Sequence, residues 1–462
     1  MPALKRTFIY LFIIGALAYA GYFIFTGISL PFYADELGGY GAAIRHQVEN
    51  GISLSPNATP YKYTFGHPQM HTVVMAPLAH IFGFNPLGLH TAALILTLIG
   101  IGMLAFYFKK YYAFKRMELS LLITMLLVQP VFLTQSYMVH SEMLLLIWMG
   151  LAILFAWHKK YLAAALITSL AVLTKETGMF LVCLLPCIAI YHYYKREITA
   201  KRMLGSIAYL TLPVITFLTF IWVQNEQMRF YLSPTNLGKT TSSLDGVYHK
   251  FIGTLRFVFF GQNRFLLTGA ILIYTITKKR KEIILYLKMG LFLIVSFCLA
   301  SAILSHPIER YLIFPVVVWV LIFSIIFIKG QSEVKWIWAL TCLALVLNVG
   351  QWDMFRSDTI SDADLTYRQN IENTEQTIAY INAHEITPVV LEFPYNFSQE
   401  YDHSGYTRLK ESIQVLKSPP KTKHYRVFSW PGNLEHENDT QGYQPIVRME
   451  FPYSFSELSI KD

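Results

Sequence analysis

The segment "FIYLFIIGALAYAGYFIFTGISLPFYADE", residues 8–36, decides the fold class. Its first 23 residues, Phe8 to Leu30, hold no charged side chain, and about 20 apolar residues suffice to cross a bilayer. The run then ends abruptly on two neighbouring acids, Asp35 and Glu36. No small-residue cleavage site follows it, so the sequence predicts a retained membrane helix rather than a removed signal peptide. The rest of the chain repeats the pattern. Of its 462 residues 54% are hydrophobic and only 15% charged, and the apolar residues come in blocks of span length instead of at helical or strand spacing. The length rule predicts about 11 spans, near 8–30, 88–108, 118–134, 141–157, 161–173, 178–194, 203–223, 264–277, 283–304, 311–328 and 336–349. A weaker stretch, 72–84, reads as a short interfacial helix.

The basic residues sort these spans. Lys5 and Arg6, Lys109 and Lys110, Lys115 and Arg116, Lys159 and Lys160, Lys195 and Arg196, Lys201 and Arg202, and "KKRK" at 278–281 all fall on one side if the spans alternate. That side is the cytoplasm, and the N-terminus with it. The net charge of +9 therefore orients helices and implies no nucleic acid. All four cysteines lie inside apolar runs, so no disulfide framework is expected. After about residue 350 the chain turns polar. "DADLTYRQNIENTEQTIAYINAHE" reads as a helix and "TPVVLEF" as a short buried strand. The expected organisation is a membrane module, 1–350, followed by a small extracytoplasmic α/β domain, 351–462.

Charge on the outer side is scarce and therefore informative. Asp35 and Glu36 end the first span. His140 and Glu142 open the fourth in "HSEM", Lys175 and Glu176 fill the turn "TKETG", and Arg310 with Tyr311 begins the tenth. Each has a plain structural reading: Lys175 and Glu176 as a local pair, Arg310 snorkelling to the surface, Glu142 at a helix N-terminus. Together they place charge of both signs at one face, and the run 161–173 is only 13 residues, roughly 20 Å of helix. That recesses Lys175 below the surface of a hydrocarbon layer about 30 Å thick, where an idle charge is costly. A carboxylate can take a proton from an acceptor, and Arg and Lys can neutralise a phosphate. A phosphate held at a membrane face points to glycosyl transfer from a lipid carrier.

The same residues carry a resemblance. "ADE" at 34–36, "GHPQMHTVVMAPLAHIFGFNPLGLH" at 66–90, "HSEM" at 140–143, "LTKETGMFLVCLLP" at 173–186 and "ERYLIFPV" at 309–316 are similar, in order and sidedness, to the GT-C superfamily of membrane glycosyltransferases. The nearest branch holds protein O-mannosyltransferases and the lipid A aminoarabinose transferase. Gln69 stands where that branch usually has a second proline. The resemblance covers roughly residues 1–350. It implies an inverting glycosyltransferase that takes a sugar from a polyprenyl-phosphate donor and passes it to an extracytoplasmic acceptor. Asp35 would be the base and Glu36 its neighbour in support. Glu142 and His140 would contact acceptor or sugar, Lys175, Glu176, Arg310 and Tyr311 would surround the donor phosphate, and His67 would lie near the site. No cofactor is implied. His67 and His71 sit four apart, as two metal ligands on a helix can. Pro68 and the want of a nearby third ligand argue against a metal, and the outer loops hold no Asp-x-Asp pair. The triplets at Asn57, Asn396 and Asn438 read as chance matches to a glycan acceptor pattern. A lipid-glycan transporter is the alternative, but it calls for internal repeats or paired interrupted helices that the sequence lacks.

Overall fold

The computed structural model describes residues 2–55, 59, 67–223, 243–278, 281–304, 308–330, 347, 363–392, 395–400, 404–416, 423–431, 444–451 and 454–461. The described chain is mostly helical. Six helices are long and apolar enough to cross a membrane, or seven if a pair bent by 80° counts as one span. In chain order the helices begin with α1 (Pro2–Gly27), α2 (Gly41–Asn50), α3 (Met70–Phe82), α4 (Pro86–Tyr112), α5 (Arg116–Leu127) and α6 (Pro130–Gln135). There follow α7 (Ser141–Trp157), α8 (Tyr161–Thr174), α9 (Phe180–Tyr194), α10 (Ala200–Tyr209) and α11 (Thr211–Val223). The bundle closes with α12 (Leu244–Phe260), α13 (Arg264–Lys278), α14 (Lys281–Leu304) and α15 (Ile313–Gly330). Only 22% of the apolar window of α1 is buried, against 78% of the window ending in α15. The first presents its side chains to lipid and the second forms the middle of the bundle.

Several expected spans take a different form. The run 118–134 is two helices, because Pro130 opens α6 and a residue before proline is pushed to extended backbone; Gln129 has φ −76° and ψ 119°. The runs 141–157 and 161–173 are present as α7 and α8, apolar helices shorter than a full span. Residues 244–260, read from sequence as outer loop, form α12, which bends by 80° into α13. Its Asp245, His249 and Arg256 hid it from the hydropathy rule. Arg264 holds the bend: fully buried, it donates to the carbonyls of Phe257 and Val258 in the last turn of α12 at 2.6 and 2.8 Å. The eleventh expected span, 336–349, lies outside the described residues apart from Leu347, as do Asn57 and Asn438.

The polar C-terminal stretch contains helix α16 (Tyr367–Ala383), short helix α17 (Tyr395–Glu400) and strands β1 (Val389–Leu391), β2 (Val415–Leu416), β3 (His424–Pro431), β4 (Gln444–Phe451) and β5 (Ser454–Lys461). They make one sheet in the order β2-β1-β3-β5-β4, parallel across β2, β1 and β3 and antiparallel beyond. Asn370, Ile371, Thr374, Thr377, Ile378 and Ile381 bury one helical face of α16, which packs on the sheet. This layer shares a hydrophobic cluster with the turns of the membrane helices: Phe32, Leu37, Ile44, Met75, Leu89 and Val139 meet Tyr367, Ile371, Val389, Tyr406 and Val427. Tyr137 pins the two parts. Its hydroxyl meets that of Tyr367 at 2.7 Å and accepts from Arg368 at 3.2 Å, and Arg368 also donates to the Thr26 hydroxyl of α1 at 2.9 Å.

Gly27 makes room for that tyrosine. A Cβ there would lie 2.6 Å from the Tyr137 ring. Gly27→Val should therefore cost about 1–3 kcal/mol through overpacking, read as a lower melting temperature in detergent. A matching change at Gly21, where a Cβ meets nothing within 4 Å, should leave melting unaltered.

Candidate active site

Asp35 and Glu36 are neighbours in sequence but not in environment. Ala34 takes a left-handed conformation, φ 46°, uncommon for a residue with a side chain. The chain turns there and enters a short π-helical turn, Glu36–Tyr40. Glu36 points into the protein with 1% of its surface exposed. Its carboxylate accepts from the backbone N–H of Tyr33 at 3.0 Å and of Val139 at 2.6 Å, and contacts His90 Nε2 at 3.1 Å. His90 Nδ1 in turn lies 3.0 Å from the Ile28 carbonyl. Enclosure pushes this carboxyl up in pKa, but His90 and the backbone donors outweigh it and hold the group below the usual range. Glu36 ties the turns before and after α4 together. Asp35 faces the other way, with 49% of its side chain exposed, and pairs with Arg310.

Arg310 is the centre of a chain of ion pairs drawn from four separate turns. It stands in the short helical turn Glu309–Leu312 ahead of α15. Its guanidinium bonds Asp35 and lies 3.5 Å from Glu142, which opens α7. Lys175, at the end of α8, bonds the same Glu142 oxygen at 2.6 Å. Glu142, Lys175 and Arg310 are all nearly fully buried. Tyr311 lies below both cations, with Lys175 Nζ 3.5 Å from its ring centroid and the Arg310 guanidinium 5.3 Å away, the arrangement a cation–π contact requires. Lys175 breaks α8 by taking extended backbone, φ −161° and ψ 143°. The turn after it folds back tightly because Gly178 has no side chain; a Cβ there would lie 2.6 Å from the Ala171 backbone. The protein packed around the half-exposed Asp35 side chain pushes its carboxyl up in pKa. The Arg310 charge outweighs that and holds it below the ordinary carboxylate range.

The structure thus brings Asp35, Glu142, Lys175, Arg310 and Tyr311 into contact. The pairing differs in one respect from the plain reading of the sequence. Lys175 partners Glu142, 33 residues away, and Glu176 partners His67 at 3.1 Å. His67 and His71 do not converge: His71 packs its ring against Tyr40 at 5.2 Å. His140 lies against the same tyrosine at 5.8 Å and meets Gln135 at 3.0 Å. Tyr40 is the site residue that sequence reasoning missed. Its hydroxyl meets Ser141 Oγ at 2.9 Å, and Ser141 reaches the second Glu142 oxygen at 3.4 Å. Only its place five residues after Asp35, in the same turn, pointed to it. Beneath the ion pairs a small pocket runs into the bundle, its polar rim Glu142 and Lys175, its walls Leu146, Met149, Phe297 and Phe314.

No protein-family model and no curated protein matches the sequence. Solved structures do match. ArnT from Cupriavidus metallidurans bound to undecaprenyl phosphate aligns with a TM-score of 0.54 at 13% identity, over 98% of each chain. The apo state of ArnT from the same organism gives 0.55, at the same identity and coverage. The archaeal oligosaccharyltransferase AglB from Archaeoglobus fulgidus aligns at 0.42 and 11% identity, over 88% of this chain and 64% of its own. The chain shares the fold of ArnT.

The contrast between the two neighbouring acids is measurable. Glu36→Gln offers an amide N–H to groups that already donate, so it should lose roughly 1–3 kcal/mol from an unmatched buried donor. Asp35→Asn, half exposed, should melt close to wild type. Equal melting of the two variants would refute the structural part given to Glu36.

Proposed function

We propose that this chain is a membrane glycosyltransferase that moves a sugar, with inversion, from a polyprenyl-phosphate carrier to an acceptor outside the cytoplasm. The observation that carries the reading is the Asp35–Arg310–Glu142–Lys175 chain at the mouth of an apolar pocket. Two cations for a phosphate, a carboxylate open to water, and apolar walls below are what a lipid-linked sugar phosphate needs. The fold shared with ArnT, a protein crystallised with undecaprenyl phosphate, supports the same donor class.

The resting site is electrically balanced, two carboxylates against two cations. A donor phosphate that takes Arg310 and Lys175 displaces Asp35 from Arg310. Asp35 then loses the charge that held its pKa down and becomes a stronger base when the donor is in place. The acceptor hydroxyl or amine gives its proton to Asp35 and bonds to the anomeric carbon from the face opposite the phosphate. The bond from that carbon to the phosphate oxygen breaks, and the electron pair leaves on the polyprenyl phosphate. Lys175 and Arg310 stabilise that growing charge more than they stabilise the bound donor, which is the condition for catalysis. Glu142, held through Ser141 and Tyr40, is placed to take sugar hydroxyls. His140 and His67 border this space, and Glu176 acts through His67. Glu36 is assigned as a positioning residue that keeps the Asp35 turn in place. Residues 351–462 are assigned to the extracytoplasmic side, beside the acceptor's path, and the N-terminus to the cytoplasm.

The test is release of free polyprenyl phosphate by purified protein given a polyprenyl-phosphate sugar and an extract of envelope acceptors. Asp35→Asn should lower turnover by about 10²–10⁴-fold, the usual worth of a positioned base, with donor binding kept. Wild-type turnover in that variant would sink the assignment. The pH profile gives a second check. Arg310 depresses the Asp35 pKa, so in the free enzyme the base stays ionised as pH falls below neutral. Arg310→Gln removes that hold, and the acid limb of kcat/KM should move to higher pH. Arg310→Lys should restore only part of the rate, since an ammonium cannot grip phosphate with a two-pronged fork.

A further inference from the structure

The end of the bundle opposite the candidate site has a second built feature. There a pocket of about 260 Å³ is lined by Trp157, His158, Lys159, Tyr191, His192 and Glu197. It is polar and ordered. Lys159 pairs with Glu197 at 3.0 Å, buried His192 meets the Tyr161 hydroxyl at 2.9 Å, and Trp157 stacks on Tyr191 with 5.7 Å between centroids. His158 Nε2 is enclosed with no hydrogen-bond partner. Trp157 and Tyr191 also line a much larger apolar groove of about 640 Å³ between α4, α7, α14 and α15. The groove runs along α7 as far as Met143, and Leu146 and Phe314 line both it and the pocket of the candidate site. From Met143 to Trp157 is fourteen residues, about 21 Å of helix, more than half of a hydrocarbon layer of about 30 Å.

We infer that this pocket and groove bind an anionic glycerophospholipid from the inner leaflet, with its phosphate headgroup at Lys159 and one acyl chain along the groove. A polar pocket that opens into an apolar groove calls for an amphipathic ligand. Lys109, Lys110, Lys160 and Arg202 belong to the basic clusters at this end, and basic pockets between membrane helices on the cytoplasmic side take lipid phosphates. Trp157 and Tyr191 are residue types that settle at the headgroup level. The donor carrier does not account for the pocket, since its phosphate is assigned to the opposite end. Gly150 faces the groove, where a Cβ would meet nothing within 4 Å, so the groove can be filled without a clash.

Native mass spectrometry of the full chain, purified in detergent and titrated separately with phosphatidylglycerol, phosphatidylcholine and undecaprenyl phosphate, tests this. Phosphatidylglycerol should be retained at least about fivefold better than phosphatidylcholine, the roughly 1 kcal/mol that one lysine near a lipid phosphate contributes. Gly150→Phe should abolish that preference, and Lys159→Gln should reduce it by a similar factor. Undecaprenyl phosphate retention and melting temperature should stay as in wild type in both. The readout is lipid retention and not sugar transfer, so its outcome is separable from that of the transferase reading. Equal retention of the two phospholipids, or variants that hold phosphatidylglycerol as wild type does, would overturn the site. So would a Gly150→Phe variant that loses undecaprenyl phosphate alone, because the groove would then belong to the carrier's chain. If Gly150→Phe fails to fold, Lys159→Gln, on the half-exposed rim, decides alone.

Discussion

A carboxylate removed from water must be paired, and Glu142 is removed almost completely, with 2% of its surface exposed. Its partners Lys175 and Arg310 are as deeply buried, so deleting any one member leaves an uncompensated charge, typically a loss of about 3–5 kcal/mol. That constraint fixes this end of the bundle. The start of α7, the end of α8 and the turn ahead of α15 are distant in sequence, and their charges pair with one another where they meet. The depth itself comes from α8. Its 14 residues span about 21 Å, so the lysine that ends it cannot reach the surface of a layer about 30 Å thick. A short helix and a buried lysine are two expressions of one arrangement.

The second constraint lies one residue from the first. Asp35 and Glu36 sit on either side of a tight turn, and the turn works because the two carboxylates are held by different parts of the protein. Glu36 absorbs two backbone donors and His90, so the backbone that carries Asp35 is pinned from behind. Asp35 is left with a single ionic partner and open water. A rigid turn with one restrained and one responsive acid suits a site whose charge balance changes when an anion arrives.

Much of this was legible in the sequence, because hydropathy and charge sorting are one-dimensional signals. The blocks of apolar residues marked most of the helices, and the scarcity of charge between them on one side singled out Asp35, Glu142, Lys175 and Arg310. What the sequence hid is what depends on three-dimensional neighbours. Lys175 and Glu176 are adjacent and opposite in charge, yet each pairs elsewhere, since the extended backbone at Lys175 aims the two side chains apart. Helix α12 carries too many polar residues to register as apolar. Of the sheet only β1, buried at all three positions, stood out; β3 and β5 pair residue by residue, Val427 with Leu458 among them, but neither has an alternation that declares its partner. Tyr40 and Ser141 bear on the site through a hydroxyl pair, and no spacing rule joins residues 101 apart.

The C-terminal layer is bound to the same turns that carry the charges. The Phe32 N–H, three residues before Asp35, donates to the Ser404 carbonyl at 3.0 Å. Gly405, at φ 86°, lies so near Pro31 and Pro86 that a Cβ would come within 3.0 Å of both. Tyr367 and Arg368 reach Tyr137, whose backbone runs two residues before the Val139 N–H that Glu36 accepts. These contacts of the polar layer end on the turns that carry the acids and not on the acids themselves. The Ser404 segment thus touches the turn that carries Asp35 through the Phe32 N–H. The polar layer and the buried charges are therefore held by different side chains of the same turns.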